Sequence, residues 1–216
     1  GLGDVYKRQE YLYGHSHHAP HEHNNSAHTS IETTQHIHNH SEHIHRSLSD
    51  IFQILEASSM TQTALYTAKK IFQILAEGES EAHGIPIEKV HFHEVGAIDS
   101  IVDIASVSIC LDMLGYKEIF VPVLCDGTGT IRCQHGILPV PVPAVANITK
   151  RYQIPLSIQP VQGELITPTG AAIVAAIFTS CKLPTSFHII KTGIGAGKRD
   201  YKNTSGILRL MEIEYI

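Results

Sequence analysis

The stretch VHFHEVGAIDSIVDI, residues 90–104, gathers residue types that hold divalent metal ions. On a strand, alternate side chains share a face, so His91 and His93 would stand about 6.6 Å apart at Cα, close enough to share one ligand. Gly96 permits a sharp turn into a helix on which Asp99 and Asp103, spaced i and i+4, lie on one face. With Glu94 counted, two imidazoles and three carboxylates can converge where the strand ends. Such a donor set suits a divalent transition ion with open coordination positions, and a histidine or carboxylate there can also move a proton. Asp99 has a simpler explanation, since a carboxylate near a helix N-terminus is favourable without any metal. Asp103 does not. Its neighbours in IVDIASVSICLDML are nearly all apolar, which predicts a buried carboxylate in need of a partner.

A second set of imidazoles lies upstream. Eleven of the sixteen histidines fall between His15 and His45, and His15, His17, His18, His21, His23, His36, His38, His40, His43 and His45 form H-S-H-H, H-E-H, H-I-H-N-H and H-I-H clusters that can converge on an ion without a fold. Neutral imidazole serves zinc, copper and nickel alike, so the tract does not name its metal. The plainer reading is a solvated low-complexity linker with incidental affinity.

Three further stretches offer groups to an anion. In CDGTGTIRCQHGILPVPVP, residues 125–143, Gly127, Thr128 and Gly129 can turn backbone amides toward a phosphate and Arg132 is a fork-shaped donor. A tight turn alone would also explain those glycines, and GxxxxGK[ST] is absent. His135, beside Cys133, adds another metal donor. In GELITPTG, residues 163–170, Thr167 is the expected N-cap of a helix, with Thr169 and Gly170 in its first turn, where free N–H groups can receive a phosphate. In TGIGAGKRD, residues 192–200, Gly195, Gly197 and Arg199 suit a phosphate or carboxylate, or else form a mobile surface loop.

The elements that must position these groups follow from periodicity. Helical spacing over 47–57 and 60–83 predicts a helical hairpin, with Ser59 and Gln62 as a capping box and Gly84 as the stop. After Pro86, strands are expected at 90–95, 119–125, 156–161, 187–193 and 207–213, alternating with helices at 98–114, 142–152 and 168–180. That alternation predicts an α/β or mixed α+β fold with a largely buried sheet and one core. Residues 1–9 read as a leader foreign to the fold, 10–46 as a disordered His-rich tract, and 47–216 as the α/β domain.

Composition excludes several function classes. The 216 residues are 43% hydrophobic and 17% charged, enough apolar side chain for one globular core. A formal charge of −5 leaves no broad basic surface for nucleic acid. No window approaches about 18 unbroken apolar residues, so no membrane helix or secretory signal is expected. Cys110, Cys125, Cys133 and Cys181 lack CxxC spacing, which fits free thiols and a cytoplasmic location.

In their order and spacing, the His-rich tract, VHFHEVGAIDSIVDI, HGILPVPVPA, GELITPTGAA and GIGAGKRD resemble the nickel-insertion proteins of the LarC family, over residues 14–211. The resemblance implies a nickel chelatase, or cyclometallase of the lyase class. It would insert Ni(II) into pyridinium-3,5-bisthiocarboxylic acid mononucleotide through two Ni–S bonds and one Ni–C bond, completing the nickel-pincer cofactor of lactate racemase. CTP hydrolysis with Mg or Mn is implied as the coupled reaction. The recipient racemase apoenzyme is implied as a partner and a homo-oligomer as the state of the complete protein. Family members carry a segment before the His tract and a later domain, associated with nucleotide binding, that this sequence lacks; the 47–216 domain is therefore expected to be incomplete. On this resemblance the tract gathers nickel, the cluster at 91–103 holds the ion, and the glycine loops and helix start receive the substrate phosphate. The competing reading is a nickel storage or metallochaperone module acting through the tract.

Overall fold

The computed structural model describes residues 46–90, 92, 98–133, 136–197, 199, 201 and 204–216. The expected leader and His-rich tract, and most of the strand expected at 90–95, lie outside the described residues.

Helix α1, Leu48–Glu56, opens with a reciprocal capping box: Asp50 N donates to Ser47 Oγ at 3.2 Å, and Ser47 N donates to Asp50 Oδ2 at 2.9 Å. Helix α2, Gln62–His83, starts at Thr61 rather than at the capping box expected from Ser59. Thr61 is extended, and its hydroxyl accepts from Ala64 N at 3.1 Å. Gly84 ends α2 at φ 66°, a left-handed stop that glycine adopts without a Cβ penalty.

Helix α3, Ile98–Leu114, has the expected bounds but not the expected burial. It buries only Ile101, Ile104 and Ser108 and leaves Val102, Ile109 and Met113 exposed. Asp103 is therefore exposed, not buried as its apolar neighbours implied, because the covered side of α3 is a narrow stripe on which Asp103 does not fall. Thr61 Oγ1 donates to Asp112 Oδ2 at 2.6 Å and ties α3 to the start of α2. Thr61→Ala removes this bond and the cap together. It should cost about 1 kcal/mol and lower Tm by roughly 2–4 °C in thermal denaturation; an unchanged Tm would refute the cap.

The rest of the chain alternates as expected: β1 Leu124–Thr128, β2 Thr130–Cys133, β3 Gly136–Pro139, α4 Pro143–Arg151, β4 Leu156–Gln162, α5 Pro168–Ile177, β5 Phe187–Ala196 and β6 Ile207–Tyr215. Pro143 and Pro168 open their helices, where the missing N–H costs nothing. The mixed α/β class holds, but the single, largely buried sheet does not. Described strands form three two-stranded ribbons, β1 with β4 in parallel and β2–β3 and β5–β6 antiparallel. Pro160 in β4 has no N–H to extend a ladder. The strand expected at 119–125 reduces to a Phe120–Ser180 bridge followed by β1, and the β2–β3 hairpin fills a stretch read as loop.

At the centre stands α2, which buries Ala68, Ile71, Phe72, Leu75 and Gly78 among α1, α3, α4 and α5. Gly78 lets α4 approach closely: a Cβ there would lie 2.7 Å from Ile148 Cγ1, and Asn147 Nδ2 donates to Gly78 O at 3.2 Å. Arg151 reinforces the crossing through Glu77 and Glu81. The outer ribbon is tied back by Tyr215, whose hydroxyl donates to Glu118 Oε2 at 2.6 Å. That bond, with slight desolvation and the charge of Glu118, raises the phenol above its ordinary pKa.

Candidate functional site

A cleft of about 660 Å³ opens where the end of α2, the turn Ile87–Lys89, the first half of α3, the β2–β3 hairpin and the start of α5 meet. Five residues singled out from separate parts of the sequence line it: Asp103, Arg132, Thr167, Thr169 and Arg199. Its apolar lining includes Val90, Phe92, Ile131, Leu138 and Val142, and Phe92 packs edge-on against Phe72 with ring centroids 6.3 Å apart. Glu79, His83, Lys89, Cys133 and Glu164 line it as well, none of them expected from sequence as site residues. A smaller depression of about 490 Å³ beside α4 holds none of the expected residues.

The wall formed by residues 163–170 is held from three directions. Asp126 is fully buried, and its Oδ1 accepts from Gly127 N at 2.8 Å, Leu165 N at 2.8 Å and Ile166 N at 3.3 Å. Tyr201 OH donates to Glu164 O at 2.9 Å, and Arg199 Nη1 lies 3.4 Å from the same carbonyl oxygen and 3.7 Å from Glu164 Oε1. Thr167 caps α5 as expected, accepting from Gly170 N at 3.1 Å. The first turn of α5 is thus fixed at the cleft edge with Thr169 beside it. Sequence reasoning passed over Asp126 as part of a glycine turn. The available signal was an acid in a strand position with no basic residue adjacent to it in sequence.

Other expected residues stand elsewhere. Gly127, Thr128 and Gly129 do not line the cleft; Gly127 N is committed to Asp126, and Gly129 adopts φ 84° against Gln162. The glycine-rich segment expected as a loop is the end of β5: Gly195 pairs with Leu208 and Gly197 N donates to Gly206 O at 3.1 Å, so β-pairing rather than anion binding employs this backbone. Asp99 is exposed in the first turn of α3, where its Oδ1 accepts from Ser100 N at 2.8 Å, the local role expected of it. His91, His93, Glu94 and His135 lie outside the described residues, but Val90, Phe92 and Cys133 beside them line the cleft. Among the described residues, no three His, Cys, Asp or Glu side chains group closely enough to hold a metal ion.

The cleft therefore combines apolar lining with exposed cationic groups, Lys89, Arg132 and Arg199, and acids at Glu79, Asp103 and Glu164. Such a site can take a planar ring carrying anionic substituents, with the capped helix start and the arginines facing a phosphate. No described helix is long and apolar enough to cross a membrane, and all four cysteines are free thiols.

Comparison with known proteins places this geometry in context. Residues 11–214 match the family described as nickel insertion protein. A pyridinium-3,5-bisthiocarboxylic acid mononucleotide nickel insertion protein of Alkaliphilus metalliredigens is 50% identical over 171 residues, covering 79% of this chain and 40% of the relative. Proteins of the same description from Acetivibrio thermocellus and Akkermansia muciniphila are 46% and 44% identical, over 78% and 80% of this chain and 41% and 42% of their own lengths. The chain thus spans about two fifths of the length of these relatives. No solved structure matches it.

Proposed function

The chain belongs to the nickel insertion protein family, and on that premise we propose that it carries the insertion site for Ni(II) into pyridinium-3,5-bisthiocarboxylic acid mononucleotide. The observation that carries this reading is the cleft itself, which draws Asp103, Arg132, Thr167, Thr169 and Arg199 to one place from four separated stretches of sequence. The substrate is a planar pyridinium ring bearing two anionic sulfur donors and a ribose phosphate. The apolar lining receives the ring, and Thr167, Thr169, Arg132 and Arg199 receive the phosphate. Nickel is the cargo. His91, His93 and Asp103 present it, with Glu94 and His135 as further donors, and the sulfur atoms capture it as it leaves those harder ligands.

Metal transfer of this kind releases one proton, from the ring carbon that bonds nickel, because the sulfur donors are already anionic. The apolar lining limits water at the reacting centre and strengthens charge interactions there. CTP hydrolysis with Mg or Mn belongs to this reading as the coupled reaction of whole family members. The described residues supply no cluster fit to hold that divalent ion, so no step is assigned to it. The racemase apoenzyme is the recipient of the finished cofactor.

Exchanging both His91 and His93 for alanine is expected to abolish nickel incorporation in a reconstituted assay read out by activation of lactate racemase. Full activity in that variant would remove the cluster from the reaction. A second reading rests on the eleven histidines between His15 and His45: a nickel store or metallochaperone in which the tract is the working part. Deleting residues 14–45 separates the two. With nickel in excess, stoichiometric cofactor formation should survive the deletion if the cleft is the site, whereas a store would lose nearly all bound nickel.

A further inference from the structure

His83 ends α2 at the cleft, and Glu79, one turn earlier, brings Oε2 to 3.6 Å from His83 Nε2. Both side chains are largely shielded, 26% and 15% exposed respectively. A carboxylate at this distance is a charge contact rather than a hydrogen bond, and it favours the protonated form of the imidazole, which readies the ring to take up a proton. The other ionisable groups lining the cleft are Lys89, Asp103, Arg132, Cys133, Glu164 and Arg199. The two arginines and the lysine are protonated at neutral pH and cannot serve as bases, and an unperturbed carboxylate is a weak one. Of the described groups in the cleft, the imidazole is the one whose ordinary pKa lies near neutrality.

Resting on the insertion reading above, we propose that His83, oriented by Glu79, is the general base of the insertion step. Donor groups at ring positions 3 and 5 converge on the carbon between them, so a nickel ion held by both sulfurs sits against the C4–H bond. That bond breaks, its electron pair forms the C4–Ni bond, and the proton passes to the His83 imidazole. Nickel remains divalent, and no oxidant or reductant is consumed. Glu79 stabilises the imidazolium until the proton is released to water.

The test is single-turnover insertion by the 216-residue chain supplied with nickel, substrate, CTP and Mg, followed across pH by absorbance of the product. His83→Ala should slow the insertion rate constant about 100-fold or more while nickel and substrate dissociation constants, measured by calorimetry, stay within twofold. Added imidazole should restore part of the rate. The wild-type rate should rise with pH as His83 loses its proton, and substrate deuterated at C4 should react more slowly. Glu79→Gln removes the carboxylate 3.6 Å from the ring, and with it the charge that favours a protonated imidazole, so the rising limb should move to lower pH. The His83→Gln variant, checked by circular dichroism, should lose the limb while remaining folded. A wild-type rate and limb in either His83 variant would overturn the proposal alone. So would a parallel loss of nickel or substrate affinity, which would make His83 a binding group. Failure of the wild-type chain to bind nickel or substrate in the same calorimetry would instead overturn the insertion reading, and this proposal with it.

Discussion

Replacing Asp126 by alanine should lower the unfolding free energy by about 3–5 kcal/mol. One fully buried carboxylate oxygen accepts from three amides, those of Gly127, Leu165 and Ile166, and no other bond to these amides substitutes for it in the described structure. A buried donor left without a partner costs its full desolvation. Two buried donors, Gly127 N and Ile166 N, and the part-buried Leu165 N would be stranded at once. At a sensitivity of roughly 2–4 °C per kcal/mol for a chain of this size, Tm should fall by about 10 °C. Asp126→Asn keeps an acceptor oxygen but is neutral, and it sets an amide N–H where Oδ2 has no partner; its loss should be intermediate. Hydrogen exchange should quicken first at Leu165 and Ile166, because these residues lead into the α5 cap at the cleft edge. Urea unfolding within about 0.5 kcal/mol of wild type, the range of an ordinary surface substitution, would rule out this anchor.

That anchor also marks the limit of what the sequence discloses. Elements set by local signals were legible: α3 falls at its expected bounds, α2 stops at Gly84, and the helices expected from 142 and 168 begin at Pro143 and Pro168. Which face of an element is covered was not. Asp103 was expected to be buried because its neighbours are apolar, yet α3 has apolar residues around most of its circumference and its neighbours cover only a stripe, so burial depends on packing rather than composition. The glycines at 193–197 suggested a loop until β6 supplied them with an antiparallel partner. Four-residue strands such as β2 and β3 carry too few alternations to stand out from the prolines and glycines around them. Four residues that line the cleft, Arg132, Thr167, Thr169 and Arg199, were singled out from sequence one by one. His83 and Glu79 were not, because at i and i+4 near a helix end they look like an ordinary surface pair until the cleft is assembled beside them.

Gly127→Ala should be about as damaging as the loss of Asp126, for a different reason. A Cβ on Gly127 would fall inside the van der Waals envelope of the Gly163 carbonyl oxygen and 2.6 Å from that of Val161. Both obstacles are backbone atoms of β4 and the turn that follows it, so no side-chain rotation relieves the overlap. One strand must move away from the other, and the parallel β1–β4 pairing, with the Gly163 N to Thr128 O bond of 2.9 Å, opens at that point. Overpacking usually costs 1–3 kcal/mol where side chains can yield; here the expected loss is at least about 3 kcal/mol, measured by urea unfolding. Because displacing β4 also pulls Leu165 and Ile166 from the Asp126 carboxylate, the double variant Asp126→Ala with Gly127→Ala should lose clearly less than the sum of the single losses, a coupling of about 1–3 kcal/mol. Strict additivity would mean that the two residues act on separate structures. A coupled result would establish that β1 holds the 163–167 turn, and with it the edge of the cleft at the start of α5, as a single unit.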